Sequence, residues 1–157
     1  MPDFVETSRW LDSELAAVPD GFAHLAIARD GEGVVGMGIL SLFRASVLSR
    51  NGEVRKLMTH PDARGRGVGR VVLQALEGRA RELSLENLLL DVRGNNHGAM
   101  ALYESAGWVR CGAVPDLIAV GDERFDQVNY VRALVRPPGV VLHGQRVEGP
   151  GASARRS

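Results

Sequence analysis

A strand, a glycine-rich link, an amphipathic helix and a second strand follow one another between residues 53 and 92, and this order constrains the fold most. Residues 53–59 have the composition of a strand, and residues 87–92 are a short, almost wholly apolar run. Because an apolar strand covered on both faces is typical of parallel pairing, the segment predicts a βαβ crossover. The helix between the strands has an apolar face with spacings of three and four: Val68, Val71, Val72, Ala75, Leu76, Ala80 and Leu83.

Antiparallel hairpins are predicted on both sides of this crossover. The first joins residues 22–29 to 33–43 through Asp30-Gly31-Glu32, and the second joins 108–120 to 127–135 through the polar stretch 121–124. A second helix is predicted over residues 97–106, ending before Gly107. The expected fold class is therefore α/β (α+β), a mixed, mostly antiparallel sheet with a central parallel pair flanked by helices.

The chain length of 157 residues, 45% of them hydrophobic, predicts one domain. We expect this domain to cover residues 1–135 and residues 136–157 to be a disordered tail, with one candidate strand at 140–142. Residues 5–18 have the pattern of a short amphipathic helix.

Charge and cysteine content exclude several classes of partner. Nineteen Lys and Arg balance nineteen Asp and Glu, so no overall field recruits nucleic acid or an anionic membrane. The single cysteine, Cys111, lies in an apolar run, where we expect a small core residue. With one cysteine and no apolar block at the N-terminus, we expect a soluble, cytoplasmic protein.

The link over residues 60–69 leads from a strand to the N-terminus of a helix and has the features of an anion site. Its glycines let a phosphate approach the backbone, and the first amides of the helix have no partner within the helix. A plain turn is the alternative. A P-loop would need a lysine after these glycines, and none is present. A dinucleotide-binding turn would need glycine in place of Arg70 and would follow its strand directly, although Asp91 imitates the ribose-binding acid of such sites.

Two motifs resemble those of the GNAT N-acetyltransferase superfamily. Arg64-x-x-Gly67-x-Gly69 resembles its acyl-CoA signature. The second motif lies downstream and reads Asn96-x-x-Ala99-x-x-Leu102-Tyr103-x-x-x-Gly107-Trp108. The similarity runs over residues 22–134, and residues 53–60, 89–91 and 115–116 look most like the branch that contains the tabtoxin-resistance acetyltransferases. The resemblance implies transfer of an acetyl group from acetyl-CoA to a primary amine of a small molecule by direct attack, with no metal ion.

The resemblance also implies where the cofactor lies. The strand before the signature and the strand after its helix would splay apart, and the pantetheine arm would enter between them. The backbone of the first strand would bind the pantetheine, the glycine-rich link the pyrophosphate, and the second helix would face the cofactor. The cofactor-binding residues so implied are Leu57, Met58, Thr59, Arg64, Gly65, Arg66, Gly67, Val68, Gly69, Arg70, Asn96, Ala99 and Tyr103.

The catalytic roles follow from the same resemblance. Tyr103 would be the general acid, donating a proton or a hydrogen bond to the leaving thiolate, with a packed helix tyrosine as the alternative. Glu53 is the first candidate base and Asp91 the second, directly or through water; Arg55 or Arg93 could instead hold either carboxylate in an ion pair.

One expected element is missing from the sequence. Only about twenty residues precede residue 22, so the first strand of the GNAT fold is expected to be absent. A catalytically inactive acyl-CoA-binding or interaction module is therefore the alternative function. The acceptor and the oligomeric state stay open, a homodimer included.

Overall fold

The structure, a computed structural model, describes residues 18–31, 33–135 and 138–139. Within these residues, six strands and two α-helices give the mixed α/β architecture that the sequence predicts. The chain divides into two compact units at Leu85/Glu86. The single domain predicted over residues 1–135 stays a prediction, and the predicted central parallel pair would take one strand from each unit. The segments predicted as an N-terminal helix over 5–18 and a strand over 140–142 lie outside the described residues, apart from Val18.

The first unit contains three antiparallel strands and the longer helix. The order in the sheet is β1-β2-β3, with β2 between its two partners. Their bounds are β1 Ala23–Asp30, β2 Gly33–Leu42, β3 Asn51–Thr59 and α1 Val68–Glu82. The helix begins after Gly67, and Arg79 and Arg81 in its last turn suit the negative end of the helix dipole.

The core of this unit lies between α1 and the sheet. Leu40 of β2 is buried on the side that faces the helix, as are four residues of the helix: Val72, Leu73, Leu76 and Ala80. Ile39 is buried on the opposite side of the same strand. The sequence placed Val71 on this face, yet its side chain is 59% exposed and Leu73 is buried instead. The helix was therefore predicted correctly, but the buried face is rotated slightly from the predicted one. The rotation arises because contact with the sheet determines which apolar residues of the helix are covered.

The second unit also has three antiparallel strands, in the order β4-β6-β5, and the shorter helix. Their bounds are β4 Asn87–Arg93, α2 His97–Ser105, β5 Val109–Val120 and β6 Glu123–Ala133. Leu90 and Val92 of β4 are buried opposite Tyr130 and Val128 of β6, as the alternation of a strand with one covered face requires.

Residues 87–92 were expected to be covered on both faces, but burial alternates along β4, with Leu89 39% exposed. Two further expectations for this unit were wrong. The residues Glu123 and Arg124 were predicted as part of a loop, but they begin β6 after a two-residue turn at Gly121-Asp122, where Gly121 has a φ of +56°. Cys111 was predicted in the core and is exposed. Both differences have one cause: β5 is mostly exposed, so polar side chains and a thiol are tolerated along this hairpin.

Within the described residues, no helix has the length and apolar character that a membrane crossing requires.

Candidate functional site

The link between β3 and α1 is a chain of tight turns. The His60 amide donates to the Val35 carbonyl at 2.8 Å, which fixes the end of the strand, and a 3₁₀ turn follows over Pro61–Ala63. The His60 ring accepts a hydrogen bond from the Asp62 amide at 3.2 Å, so this side chain stabilises the turn. Gly65 and Gly67 then have φ values of +75° and +81°, in the left-handed region where glycine is favoured.

This geometry leaves an open concave backbone at the N-terminus of α1. A Cβ added at Gly65 or Gly67 would meet no atom within 4 Å, so the space beside both residues is free within the described structure. The Val71 amide donates to the Gly67 carbonyl at 3.1 Å, and the amides before it have no acceptor within the helix. The residues present therefore fit a diphosphate, because first-turn amides and the helix dipole both favour an anion.

Two glycines of β2 place this helix, and the sequence analysis did not identify them. A Cβ on Gly36 would lie 2.5 Å from Val68 Cγ1, and one on Gly38 would lie 2.9 Å from Leu76 Cδ1. Only bare backbone at these positions lets α1 approach the sheet this closely. The signal was present, since glycines two apart in an apolar strand share one face and indicate a close neighbour.

Strand β3 contains a bulge just before the residues predicted to bind pantetheine. Met37 pairs with Met58 and Ile39 with Arg55, so Lys56 and Leu57 together oppose Gly38. Lys56 has a φ of +51°, which is uncommon for a residue other than glycine. A bulge interrupts the ladder and changes the direction of the following groups, so the backbone of Met58 and Thr59 is re-aimed.

Glu53, the first candidate base, lies on β3 opposite Ser41. Its carboxylate Oε2 is 3.9 Å from Arg55 Nε, and the two side chains are 35% and 41% exposed. The ion pair named above as the alternative for this carboxylate is therefore present, and any proton transfer to Glu53 would have to compete with it.

Tyr103, the candidate acid, lies on α2 and is 7% exposed. Its ring contacts Trp108 and Tyr130, with centroids 6.2 and 5.8 Å apart. Burial, and then the negative charge of Asp91, raise the pKa of Tyr103 to about 12. The phenol therefore stays protonated at neutral pH and can act as a donor.

The neighbouring Tyr130 differs in its hydrogen bond. Its hydroxyl donates to Glu104 Oε1 at 2.8 Å, and burial and this carboxylate raise its pKa to about 12 as well. For the Tyr103 hydroxyl no hydrogen-bond partner is found in the part of the chain that the structure describes. Of the two phenols, Tyr103 is thus the one whose donor is left for a ligand.

Asp91, the second candidate base, is an exposed residue of β4 opposite Asn129. It is close enough to Tyr103 for its charge to act on the phenol. The Arg93 guanidinium lies 5.0 Å from the ring centre of Phe125.

Asn96 has a local role: its side-chain oxygen accepts a hydrogen bond from the Ala99 amide at 3.2 Å and caps α2.

The predicted site residues fall into two groups. The first unit holds the glycine-rich link, the bulged strand and Glu53, and the second holds Asn96 and brings the charge of Asp91 near Tyr103. The glycine-rich link leads into a helix start, Glu53 and Asp91 lie on strands, and Tyr103 lies in the last turn of α2. Their individual roles stay predictions.

Comparisons with known proteins identify the family. The sequence profile of the Acetyltransferase (GNAT) family matches residues 2–108. An IAA acetyltransferase from Azospirillum brasilense is 32% identical over 107 residues, which are 68% of this chain and 67% of that protein. Two mycothiol acetyltransferases, from Geodermatophilus obscurus and Propionibacterium freudenreichii, are 41% and 39% identical over 59 and 87 residues. These alignments cover 38% and 55% of this chain but only 19% and 28% of the relatives, so the chain spans a part of their length.

Solved structures share the fold. The ribosomal-protein-alanine N-acetyltransferase from Brucella melitensis superposes with a TM-score of 0.72 at 25% identity, covering 84% of this chain and 79% of that one. The yncA protein from Salmonella typhimurium, whose structure contains its cofactor acetyl-CoA, superposes with a TM-score of 0.74 at 19% identity, covering 84% and 76%.

Fold and matches together define the class of this chain, the acyl-CoA-dependent N-acetyltransferases. Within that class it belongs to the Acetyltransferase (GNAT) family, whose profile spans more than half of the sequence. The tabtoxin-resistance branch predicted from residues 53–60 stays a prediction.

Proposed function

We propose that this protein transfers the acetyl group of acetyl-CoA to a primary amine of a small molecule by direct attack, in the cytoplasm. The observation that carries the proposal is the pair of left-handed glycines, Gly65 and Gly67, which leave open backbone at the N-terminus of α1. Such a site suits the diphosphate of the donor.

The donor would be held by backbone more than by side chains. Amides of residues 66–70 would bind the diphosphate, with Arg64 and Arg70 adding positive charge around it, while the Arg66 side chain is paired with Asp30. The bulge at Lys56 supports a second contact, because the redirected backbone of Met58 and Thr59 would offer hydrogen bonds to the pantetheine amides. In this arrangement the donor supplies the acetyl thioester, and the chain fixes its position.

Tyr103 would act on the leaving group. As the amine nitrogen forms its bond to the carbonyl carbon and the carbon–sulfur bond breaks, negative charge collects on sulfur. A phenol with a pKa of about 12 would lose about 5 kcal/mol by fully protonating a thiolate whose thiol has a pKa near 8.5. Tyr103 therefore stabilises the thiolate by donating a hydrogen bond, and the final proton comes from solvent.

The attacking amine must release a proton to a base. We favour Asp91 as the base, because it is exposed and its charge raises the pKa of Tyr103. Glu53 is instead paired with Arg55. Either carboxylate would act directly or through a water molecule.

The similar proteins are named for two different kinds of acceptor. One relative is named for IAA and one structural neighbour for a ribosomal-protein alanine. We favour a small amine because the residues around the bulge, 53–60, resemble the branch with small-molecule acceptors.

Two measurements test the proposal. Calorimetric titration with acetyl-CoA and NAD side by side should give binding of acetyl-CoA alone. Release of free CoA thiol should then follow with at least one member of a panel of small amines. Absence of acetyl-CoA binding would overturn the proposal, and binding without turnover on any amine would favour the inactive module.

The Tyr103→Phe variant tests the mechanism. A hydrogen bond to a charged group contributes about 1.5–3 kcal/mol, so kcat should fall about tenfold to a hundredfold while the affinity for acetyl-CoA stays within about twofold. Tyr130→Phe is the matched control, since it removes the neighbouring phenol and should keep kcat. Full turnover of Tyr103→Phe would remove this residue from the mechanism.

A further inference from the structure

An ion pair outside both motifs joins the glycine-rich link to the β1–β2 hairpin. Arg66 Nη2 lies 2.8 Å from Asp30 Oδ2, and the side chains are 56% and 57% exposed. Asp30 is the last residue of β1 and pairs with Gly33 across the hairpin, so its backbone is fixed by the sheet. The contact therefore ties a loop residue to the end of a strand 36 positions away in the chain.

The loop itself has little to hold its conformation. Arg66 lies between Gly65 and Gly67, both with positive φ and both with no atom within 4 Å of where a Cβ would be. Glycine loses more conformational freedom on ordering than any other residue. A side chain anchored between the two glycines limits the conformations of both.

We propose that Asp30 is a positioning residue for the donor site: through Arg66 it holds the loop over residues 65–67 in the conformation in which the helix N-terminus receives the diphosphate. The inference rests on the proposed function, because it assumes an acyl-CoA donor at this loop.

Two effects of Asp30 have opposite signs. Its carboxylate near an anion site repels a diphosphate, so a purely coulombic role would weaken donor binding. However, Arg66 at 2.8 Å largely cancels that charge, and both groups are exposed to water, which screens the remainder. The entropy cost of ordering a loop with two glycines is not an electrostatic effect, so water does not screen it. Positioning should therefore exceed repulsion.

The Asp30→Asn variant separates these effects by the sign of the change. Positioning predicts that acetyl-CoA binds about threefold more weakly, an effect within the range for an exposed ion pair, and that the KM for acetyl-CoA rises while kcat is unchanged. Asp20→Asn is the matched control, since it breaks the exposed Arg44–Asp20 pair of 3.3 Å in the same unit and removes the same charge. Its affinity should match that of the unmodified protein.

Two further measurements keep the result interpretable. Amide hydrogen exchange at residues 65–69, measured without donor, should be faster in Asp30→Asn and unchanged in Asp20→Asn. Asp30→Glu keeps the carboxylate and should recover most of the affinity. Tighter binding by Asp30→Asn, or the same change in both Asn variants, would overturn the inference. If the unmodified protein does not bind acetyl-CoA, the proposed function fails first, and the exchange experiment still decides the role of Asp30.

Discussion

Tyr103 and Tyr130 are neighbouring phenols with similarly raised pKa values and different surroundings. Tyr130 is fully buried and donates to Glu104, whereas Tyr103 is affected by burial and by the charge of Asp91. At the scale of single residues, the second motif predicted Tyr103 but not this environment, because the neighbours come from strands whose register the sequence does not specify.

The influence of Asp91 on Tyr103 can be measured directly. The chain has two tyrosines, so Tyr103 is the only phenol left in a Tyr130→Phe background. Asp91→Asn in that background should lower the pKa of Tyr103, because an unfavourable negative charge near the phenolate is removed. Burial should still keep the pKa above 10. Spectrophotometric titration of phenolate absorbance measures both values.

A second substitution controls for the change in net charge. Asp116→Asn alters a carboxylate of β5 that does not contribute to the shift of Tyr103. Equal shifts from Asp91→Asn and Asp116→Asn would contradict a local effect of Asp91.

At the scale of elements, the position of α1 depends on two positions in β2 that lack side chains. Gly36→Ala would bring a Cβ to 2.5 Å from Val68 Cγ1 and 3.3 Å from the Met58 carbonyl oxygen. Overpacking of this kind costs about 1–3 kcal/mol, and relief would move the first turn of α1 away from the sheet. We expect lower stability to urea and weaker acetyl-CoA binding together.

The same strand supplies the control for this substitution. A Cβ at Gly33 would meet only the Asp30 carbonyl oxygen at 3.5 Å, an ordinary contact. Gly33→Ala should therefore change stability by no more than about 0.5 kcal/mol. Equal losses in the two variants would show that close packing of α1 is not the reason for glycine at position 36.

Local patterns predicted most elements of this fold, because each repeats over many residues. Apolar periodicity placed α1, and the apolar run 87–92 placed β4. The bulge at Lys56 was not predicted, since it exists only relative to the register of β2. Exposure of Cys111 was missed for a similar reason: an apolar run does not show which side of a strand is covered. The glycine-rich link was predicted as an anion site, but its tether at Asp30 depends on a contact distant in sequence.

At the scale of the whole molecule, both tyrosines should make stability fall at alkaline pH. Below pH 10 the phenols are neutral in the folded and unfolded chain. Between pH 10 and 12 the unfolded chain loses phenolic protons that the folded chain keeps, because both folded pKa values are raised to about 12. The free energy of unfolding should therefore fall by about 1.4 kcal/mol per pH unit for each tyrosine.

Urea unfolding between pH 8 and 12 measures this loss. Tyr130→Phe should reduce the slope above pH 10 by about half. Phenolate absorbance of the folded protein should begin to rise well above pH 10. A rise centred on pH 10 in the folded protein would contradict the burial of both rings.

The exposed thiol of Cys111 also affects how acetyl transfer can be observed. Every chain has this single sulfhydryl on β5, with Sγ 3.4 Å from the Asn129 carbonyl oxygen. A chromogenic disulfide reagent that detects the thiol of released CoA will also react with the thiol of the enzyme. The assay would then record one equivalent of thiol per chain before any acetyl group is transferred. Replacing Cys111 with serine removes that stoichiometric background and the route to disulfide-linked pairs of chains in air.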